Sequence, residues 1–144
     1  MVFEIRNLTK ADLPVCAKLL LQEFNRIGEH WTPAMAKSRI FEVFERNPTL
    51  CFGLVLDEKI IGMLLGKPFT KQNSKCLYLM NFAIDLKHQG KGFGLKALFF
   101  IEKFAKEKGF KALMLDRNKN KNAIKIYKKF GFEKTDYVLM EKKM

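Results

Sequence analysis

The apolar positions of this chain change period several times, and each change predicts an element. FEIRNL opens it as a short first strand. A helical period follows near residues 10–27, with Cys16, Leu19, Leu20, Phe24 and Ile27 on one side. Thr9 and Asp12 have capping-box spacing, and Pro14 falls early, where a helix tolerates it. HWTPAMAKSRIFEVFERNP predicts a second helix, capped by Thr32, begun on Pro33 and stopped by Asn47-Pro48. TLCFGLVLDEKIIGMLLGKPF is two apolar runs about Asp57-Glu58-Lys59, the pattern of a hairpin. KCLYLMNFAID is apolar almost throughout, as a central strand covered on both faces would be. A helix from about Gly92 to Lys108 turns Ala97, Leu98, Ile101, Phe104 and Ala105 inward and Lys96, Lys103, Lys106 and Glu107 outward, and Gly109 ends it. KALMLD predicts a strand and NAIKIYKKF a short helix with Ala123, Ile126, Tyr127 and Phe130 on one face. DYVLMEK predicts a closing strand.

The resulting order, β-α-α-β-β-β-α-β-α-β, predicts an α/β chain, a mixed sheet with helices on both faces. The strand–helix–strand unit over residues 76–116 is expected to be a right-handed parallel crossover. No linker, repeat or change of composition divides residues 1–144, so one domain is expected.

Composition narrows the chemistry. At 144 residues and 48% hydrophobic, the chain is long enough to bury a core, and it has no apolar run of membrane-spanning length. MVFEIRNLTK lacks the layout of a signal peptide, and three scattered cysteines fit neither a disulfide framework nor a zinc knuckle. A cytoplasmic protein without a metal is the expectation. The net charge of +12 is uneven: residues 1–86 hold 11 Lys/Arg against 9 Asp/Glu, residues 87–144 hold 16 against 6. Such a half meets phosphate, on a nucleic acid, a membrane surface or a nucleotide-like cofactor, or is simply a solvated surface.

The basic half begins with DLKHQGKGFGLKALFF, residues 85–100, where three alternating glycines run from a strand end into an apolar helix. In open α/β sheets ligands bind at that edge. A helix N-terminus offers unpaired N–H groups and about half a positive charge, and glycines remove side chains that would hold a phosphate away. Lys87, Lys91 and Lys96 add full charges. The pattern fits an anion cradle, most naturally for a pyrophosphate, although three glycines before a helix can also be only a tight turn. Neither the Walker spacing nor the dinucleotide fingerprint is present.

Gln89-Gly90-Lys91-Gly92-Phe93-Gly94, read as Q-x-x-G-x-G ahead of an apolar helix, resembles the acetyl-CoA pyrophosphate signature of the GNAT acetyltransferase superfamily. NKNAIKIYKKFGF resembles that family's N-x-x-A-x-x-x-Y-x-x-x-G-F segment, through Asn120, Ala123, Tyr127 and Gly131-Phe132, and IRNLTKADLP is similar to its usual opening. The resemblance covers the chain and implies a twisted mixed sheet of about six or seven strands with about four helices. It implies acetyl-CoA as co-substrate, held by Gln89, Gly90, Lys91, Gly92, Phe93, Gly94 and Leu95. Backbone groups of Phe82, Ala83 and Ile84 would pair with the pantetheine arm between splayed strands. Asn120 and Ala123 would lie near the cofactor, with Tyr127 donating a hydrogen bond to the departing sulfur. It also implies a monomer or homodimer.

A general base is harder to find. Relatives often carry a glutamate on the fourth or fifth strand, but Leu77–Phe82 has no carboxylate. Asp116 ends the fifth, one residue out of phase, which leaves open whether it faces the cleft; Glu29, His30 and Asp85 are further candidates. Only a neutral amine attacks a thioester, which costs a lysine about 4.6 kcal/mol at pH 7 and an α-amine about 1 kcal/mol, so a low-pKa amine is the easier acceptor. The first two helices and the segment near residues 69–74 are expected to form the acceptor pocket, with Trp31, Phe41 and Phe44 as lining or core. An N-acetyltransferase by direct attack is the leading expectation, and an acetyl-CoA-binding module without catalysis is the alternative. A ping-pong route through Cys51 or Cys76 lacks a neighbouring histidine, and nucleic-acid binding lacks exposed aromatics among the lysines.

Overall fold

The computed structural model describes residues 1–116 and 121–144. Strand β1 (Phe3–Asn7) leads into a 3-10 turn, Lys10–Asp12, and helix α1 (Leu13–Arg26). The expected cap forms: the Asp12 carboxylate accepts from the Thr9 N–H at 2.7 Å and from Arg6 Nη1 at 2.8 Å. The Arg6 hydrogen bond is the largest cause holding the Asp12 pKa below its ordinary value. Helix α2 (Pro33–Arg46) starts as predicted, the Thr32 side chain accepting from the Met35 N–H at 3.2 Å.

Strands β2 (Cys51–Leu56) and β3 (Lys59–Lys71) form the predicted hairpin, with Asp57 and Glu58 both at positive φ in its turn. A second hairpin joins β3 to β4 (Ser74–Ile84); α3 (Phe93–Glu107), β5 (Ala112–Leu115) and α4 (Lys121–Phe130) follow. The sheet order is β1-β2-β3-β4-β5, antiparallel except for the parallel pair β4–β5, so the crossover is parallel as expected. Its two faces carry separate cores. Cys16, Leu19 and Leu20 of α1 and Ala36, Ile40 and Val43 of α2 pack on Met63, Leu65 and Ala83; Ala97, Ile101 and Ala105 of α3 pack on Phe52, Leu54, Leu77 and Leu79.

Among the described residues the sheet has five strands, where six or seven were expected. DYVLMEK was expected to close it, yet residues 132–144 form no strand, and Tyr137, Val138, Leu139 and Met140 are 68–93% exposed. Strand propensity is realised only when a neighbouring backbone completes the ladder, which an apolar run does not specify.

Candidate active site

Strand β4 is longer than its parallel partner, and that mismatch makes the site. Its ladder with β5 runs from Cys76↔Ala112 to Leu79↔Leu115 and stops, while β4 continues through Met80–Ile84. At the same point the β3 register shifts, Leu65 facing Asn81 and Gly66 facing Leu79, so Met80 is an extra residue that bends β4 away. The result is a fork. Asp85 N–H bonds to the Ile61 carbonyl at 2.8 Å. By antiparallel alternation Ala83 therefore bonds Met63, and the N–H and C=O of Phe82 and Ile84 point to the open side.

The glycine loop begins where this open edge ends. Gln89 Nε2 donates to the Ile84 carbonyl at 2.8 Å, tying the loop to the strand. Gly92 caps α3 in the left-handed region, at φ 88° and ψ 0°, with no side chain bonded to the helix end. The first three amides of α3, those of Phe93, Gly94 and Leu95, precede the first intrahelical bond, Lys96 N–H to the Gly92 carbonyl at 3.2 Å. A Cβ built on Gly90 or Gly92 meets nothing within 4 Å. Positive φ, 74° and 88°, rather than packing requires these glycines, and the open space beside the unpaired amides leaves room for an anion of the size of a diphosphate. Phe93 turns its ring inward against Phe3 at 5.0 Å, so only its backbone faces the loop, and Leu95 is exposed. Lys91, Lys96 and His88 line a depression of about 270 Å³ beside the loop. His88 pairs with Asp85 at 3.1 Å.

The motif on α4 has a mechanical reading. Gly131, at φ 103°, ends the helix and lets the Phe132 N–H bond the Tyr127 carbonyl at 3.0 Å. Phe132 folds back with its ring 5.7 Å from that of Tyr127. Phe130 meets Phe99 of α3 at 5.1 Å, docking α4 on α3. Tyr127 is half-buried; burial first, and then the charge of Glu23 on α1, push its pKa up to about 12. Ala123 is half-buried on the same helix, and Asn120 lies outside the described residues.

Leu77, Leu79, Leu113 and Leu115 all pack toward α3, so Tyr78 and Met114 between them turn toward α1. Asp116 follows on that side: with burial the larger cause, it raises the Tyr78 pKa as a hydrogen-bond acceptor and as a charge. Asp116 is exposed and is the first residue past the last β4–β5 rung. Tyr78 was missed in the sequence because it sits inside an apolar run; its hydroxyl was the available signal. Of the other carboxylates, Glu29 accepts from Trp31 Nε1 at 3.1 Å. Trp31 stacks on Phe24 at 4.4 Å, and with Arg39 and Glu42 it lines an open depression of about 420 Å³ to which β4, β5 and α4 contribute nothing. Phe44 is core and Phe41 is exposed.

Residues 12–132 match the sequence profile of the Acetyltransferase (GNAT) family. The chain belongs to that family. A probable N-acetyltransferase, camello, from Xenopus laevis is 30% identical over 87 residues, covering 59% of this chain and 39% of the relative's own length. A possible acetyltransferase from Clostridium difficile 630 superposes with a TM-score of 0.84 at 16% identity, covering 100% of this chain and 99% of the other. An aminoglycoside N-acetyltransferase solved with CoA gives 0.77 at 17%, covering 99% and 95%. These two solved structures share the fold of this GNAT protein.

The cysteines offer no nucleophile. Burial pushes the Cys16 thiol up to about 12 and the Cys51 thiol up to about 11, and Cys76 is buried. Native protein is expected to react slowly with a thiol reagent at pH 7.5 and rapidly once unfolded. Because both thiols keep their protons longer when folded, their contribution to stability is complete below pH about 9 and is lost as pH rises toward 11–12. Melting temperatures measured from pH 7 to pH 11 check this; a flat profile would contradict it.

Proposed function

We propose that this chain transfers the acetyl group of acetyl-CoA to a primary amine, by direct attack with both substrates bound. The observation that carries the reading is the junction of an unpaired β4 edge with a glycine loop whose amides are bare. When bound, acetyl-CoA supplies an activated acyl group on a thiol leaving group. The amides of Phe93, Gly94 and Leu95 hold the diphosphate, with Gly90 and Gly92 leaving it room and Lys91 adding charge. Gln89 keeps the loop closed on Ile84. Phe82 and Ile84 offer backbone groups to the pantetheine arm and Ala83 forms the wall behind; a free N–H there also polarises the acyl oxygen. Ala123 lies on the helix that carries Tyr127 to the sulfur. The aminoglycoside acetyltransferase of this fold, solved with CoA, supports the choice of co-substrate.

The reaction balances without a covalent enzyme: a nitrogen–carbon bond forms, the thioester carbon–sulfur bond breaks with the electron pair leaving on sulfur, and the proton lost by the amine passes through solvent to the CoA thiolate, giving the amide and free thiol. A panel of α-amines, ε-amines, amino sugars and polyamines with acetyl-CoA, read as released thiol, tests the proposal. Thiol release that depends on an amine is expected. Binding heat from acetyl-CoA without release from any amine would leave a binding module instead.

A further inference from the structure

We infer that the end of the molecule opposite the glycine loop attaches to an anionic lipid bilayer. Lys71, Lys75, Lys108 and Lys111 meet the headgroups there, and Tyr137–Met140 enter the interfacial layer. No residue named for the cofactor takes part, so this attachment stands independently of acetyl transfer.

Strand β4 runs from Ser74 to Ile84, so its start lies about 30 Å from the loop that follows its end. Four lysines gather at that start. Lys71 and Lys75 belong to the β3–β4 hairpin, and the Lys111 N–H bonds to the Lys75 carbonyl at 2.8 Å. Lys108 follows directly on α3. Lys75, Lys108 and Lys111 are exposed. Residues 67–78 and 108–115 contain no Asp or Glu, and Glu107 stands at the edge of the second stretch. None of the four lysines makes a salt bridge among the described residues, and residues 117–122 carry no acid that could supply one. Three are held by rings instead: Lys71 over Tyr137 at 5.3 Å, Lys75 over Phe110 at 5.2 Å and Lys108 over Phe104 at 5.8 Å. A ring steadies an ammonium and leaves its charge uncancelled.

The Lys71 contact also brings an apolar run to this patch. Tyr137, Val138, Leu139 and Met140 are 68, 81, 84 and 93% exposed. Lys134, Lys142 and Lys143 flank them, against Asp136 and Glu141. Consecutive exposed apolar side chains beside unpaired cations call for a partner that is negative at its surface and apolar beneath. An anionic bilayer has that order, and tyrosine suits the boundary between its layers. A nucleic acid gives phosphates but no apolar layer for Val138, Leu139 and Met140. A second copy of a chain with net charge +12 sets lysine against lysine across a two-fold interface. The contact is peripheral, since no helix among the described residues is long and apolar enough to cross a membrane.

The test is co-sedimentation of the full chain with phosphatidylcholine vesicles, with and without phosphatidylserine at about one lipid in three. Wild-type protein is expected to bind the anionic vesicles saturably, to ignore the neutral ones, and to lose about 10-fold or more in affinity between about 0.1 and 0.5 M salt. Two triple variants, Lys75→Gln/Lys108→Gln/Lys111→Gln and Val138→Ser/Leu139→Ser/Met140→Ser, should each bind about 10-fold more weakly or worse, with unchanged melting temperature. Tyr137→Trp adds a depth probe at an exposed position: brominated lipid should quench its added emission. Trp31 follows the end of α1, which reaches the loop side through Gln22 and Leu86, and its emission in wild-type protein should stay unquenched. Equal binding to neutral and anionic vesicles, or binding to neither, overturns the inference. Unquenched Tyr137→Trp emission overturns it whatever the triple variants do. Tighter binding to duplex RNA that the serine variant retains overturns it in favour of a nucleic acid, and a dimer that the serine variant abolishes, without vesicle binding, in favour of a second copy. CoA calorimetry on the same samples keeps the two readings apart: absent heat removes the cofactor reading and leaves this one standing.

Discussion

Gly92→Asp is expected to lower acetyl-CoA affinity by about 100- to 1,000-fold while leaving the fold intact. A carboxylate about 4 Å from a phosphate charge costs roughly 4 kcal/mol at the effective dielectric of a protein surface, and solvent screening reduces that somewhat. The site accepts the side chain sterically, since a Cβ there meets nothing within 4 Å. At φ 88° any residue but glycine is strained, a backbone cost of about 1–2 kcal/mol that Gly92→Asp and Gly92→Asn share. Gly92→Asn separates the two effects: it has the same shape, bears the same strain at φ 88°, and lacks the charge. Calorimetry should find the Asn variant within about 10-fold of wild type and the Asp variant far weaker. Equal affinities in Gly92→Asp and wild type would mean that no anion rests on the loop.

Tyr127→Phe should lower kcat by about 10- to 100-fold, the worth of one hydrogen bond to a developing charge, with acetyl-CoA affinity nearly unchanged. The phenol is a donor that keeps its proton. Its pKa, pushed up to about 12, lies some 3.5 units above a thiol near 8.5, so complete transfer to the sulfur would cost about 5 kcal/mol. The sign for pH follows: raising pH from 7 to 10 leaves the Tyr127 proton in place, and activity does not fall through loss of this donor until pH approaches 12. Stopped-flow rates of wild type and Tyr127→Phe over that range are the check. An unchanged kcat in the variant would reduce Tyr127 to packing between α4 and Phe132.

The elements legible in the sequence were those whose signals are local. Thr32-Pro33 opened α2, the capping-box spacing of Thr9 and Asp12 marked the entry to α1, and Gly109 closed α3. The glycine loop was legible because left-handed φ at Gly90 and Gly92 demands that residue type. What stayed hidden depends on register. The bulge at Met80 turns Asn81 toward α1, and no periodicity reveals an extra residue in one strand of a ladder. Tyr78 looked like part of a buried run because strand neighbours, not its own segment, decide which face it takes. The closing strand failed for the related reason that Tyr137–Met140 carry strand propensity without a backbone to pair with.

Backbone amide shifts of Gly90–Leu95 on titration with CoA, compared with pantetheine, which lacks the diphosphate, test the central claim most directly. CoA should move Gly92, Phe93, Gly94 and Leu95 saturably, and pantetheine should leave these four still while shifting Phe82 and Ile84. Saturable CoA binding that leaves the loop amides unmoved would contradict it.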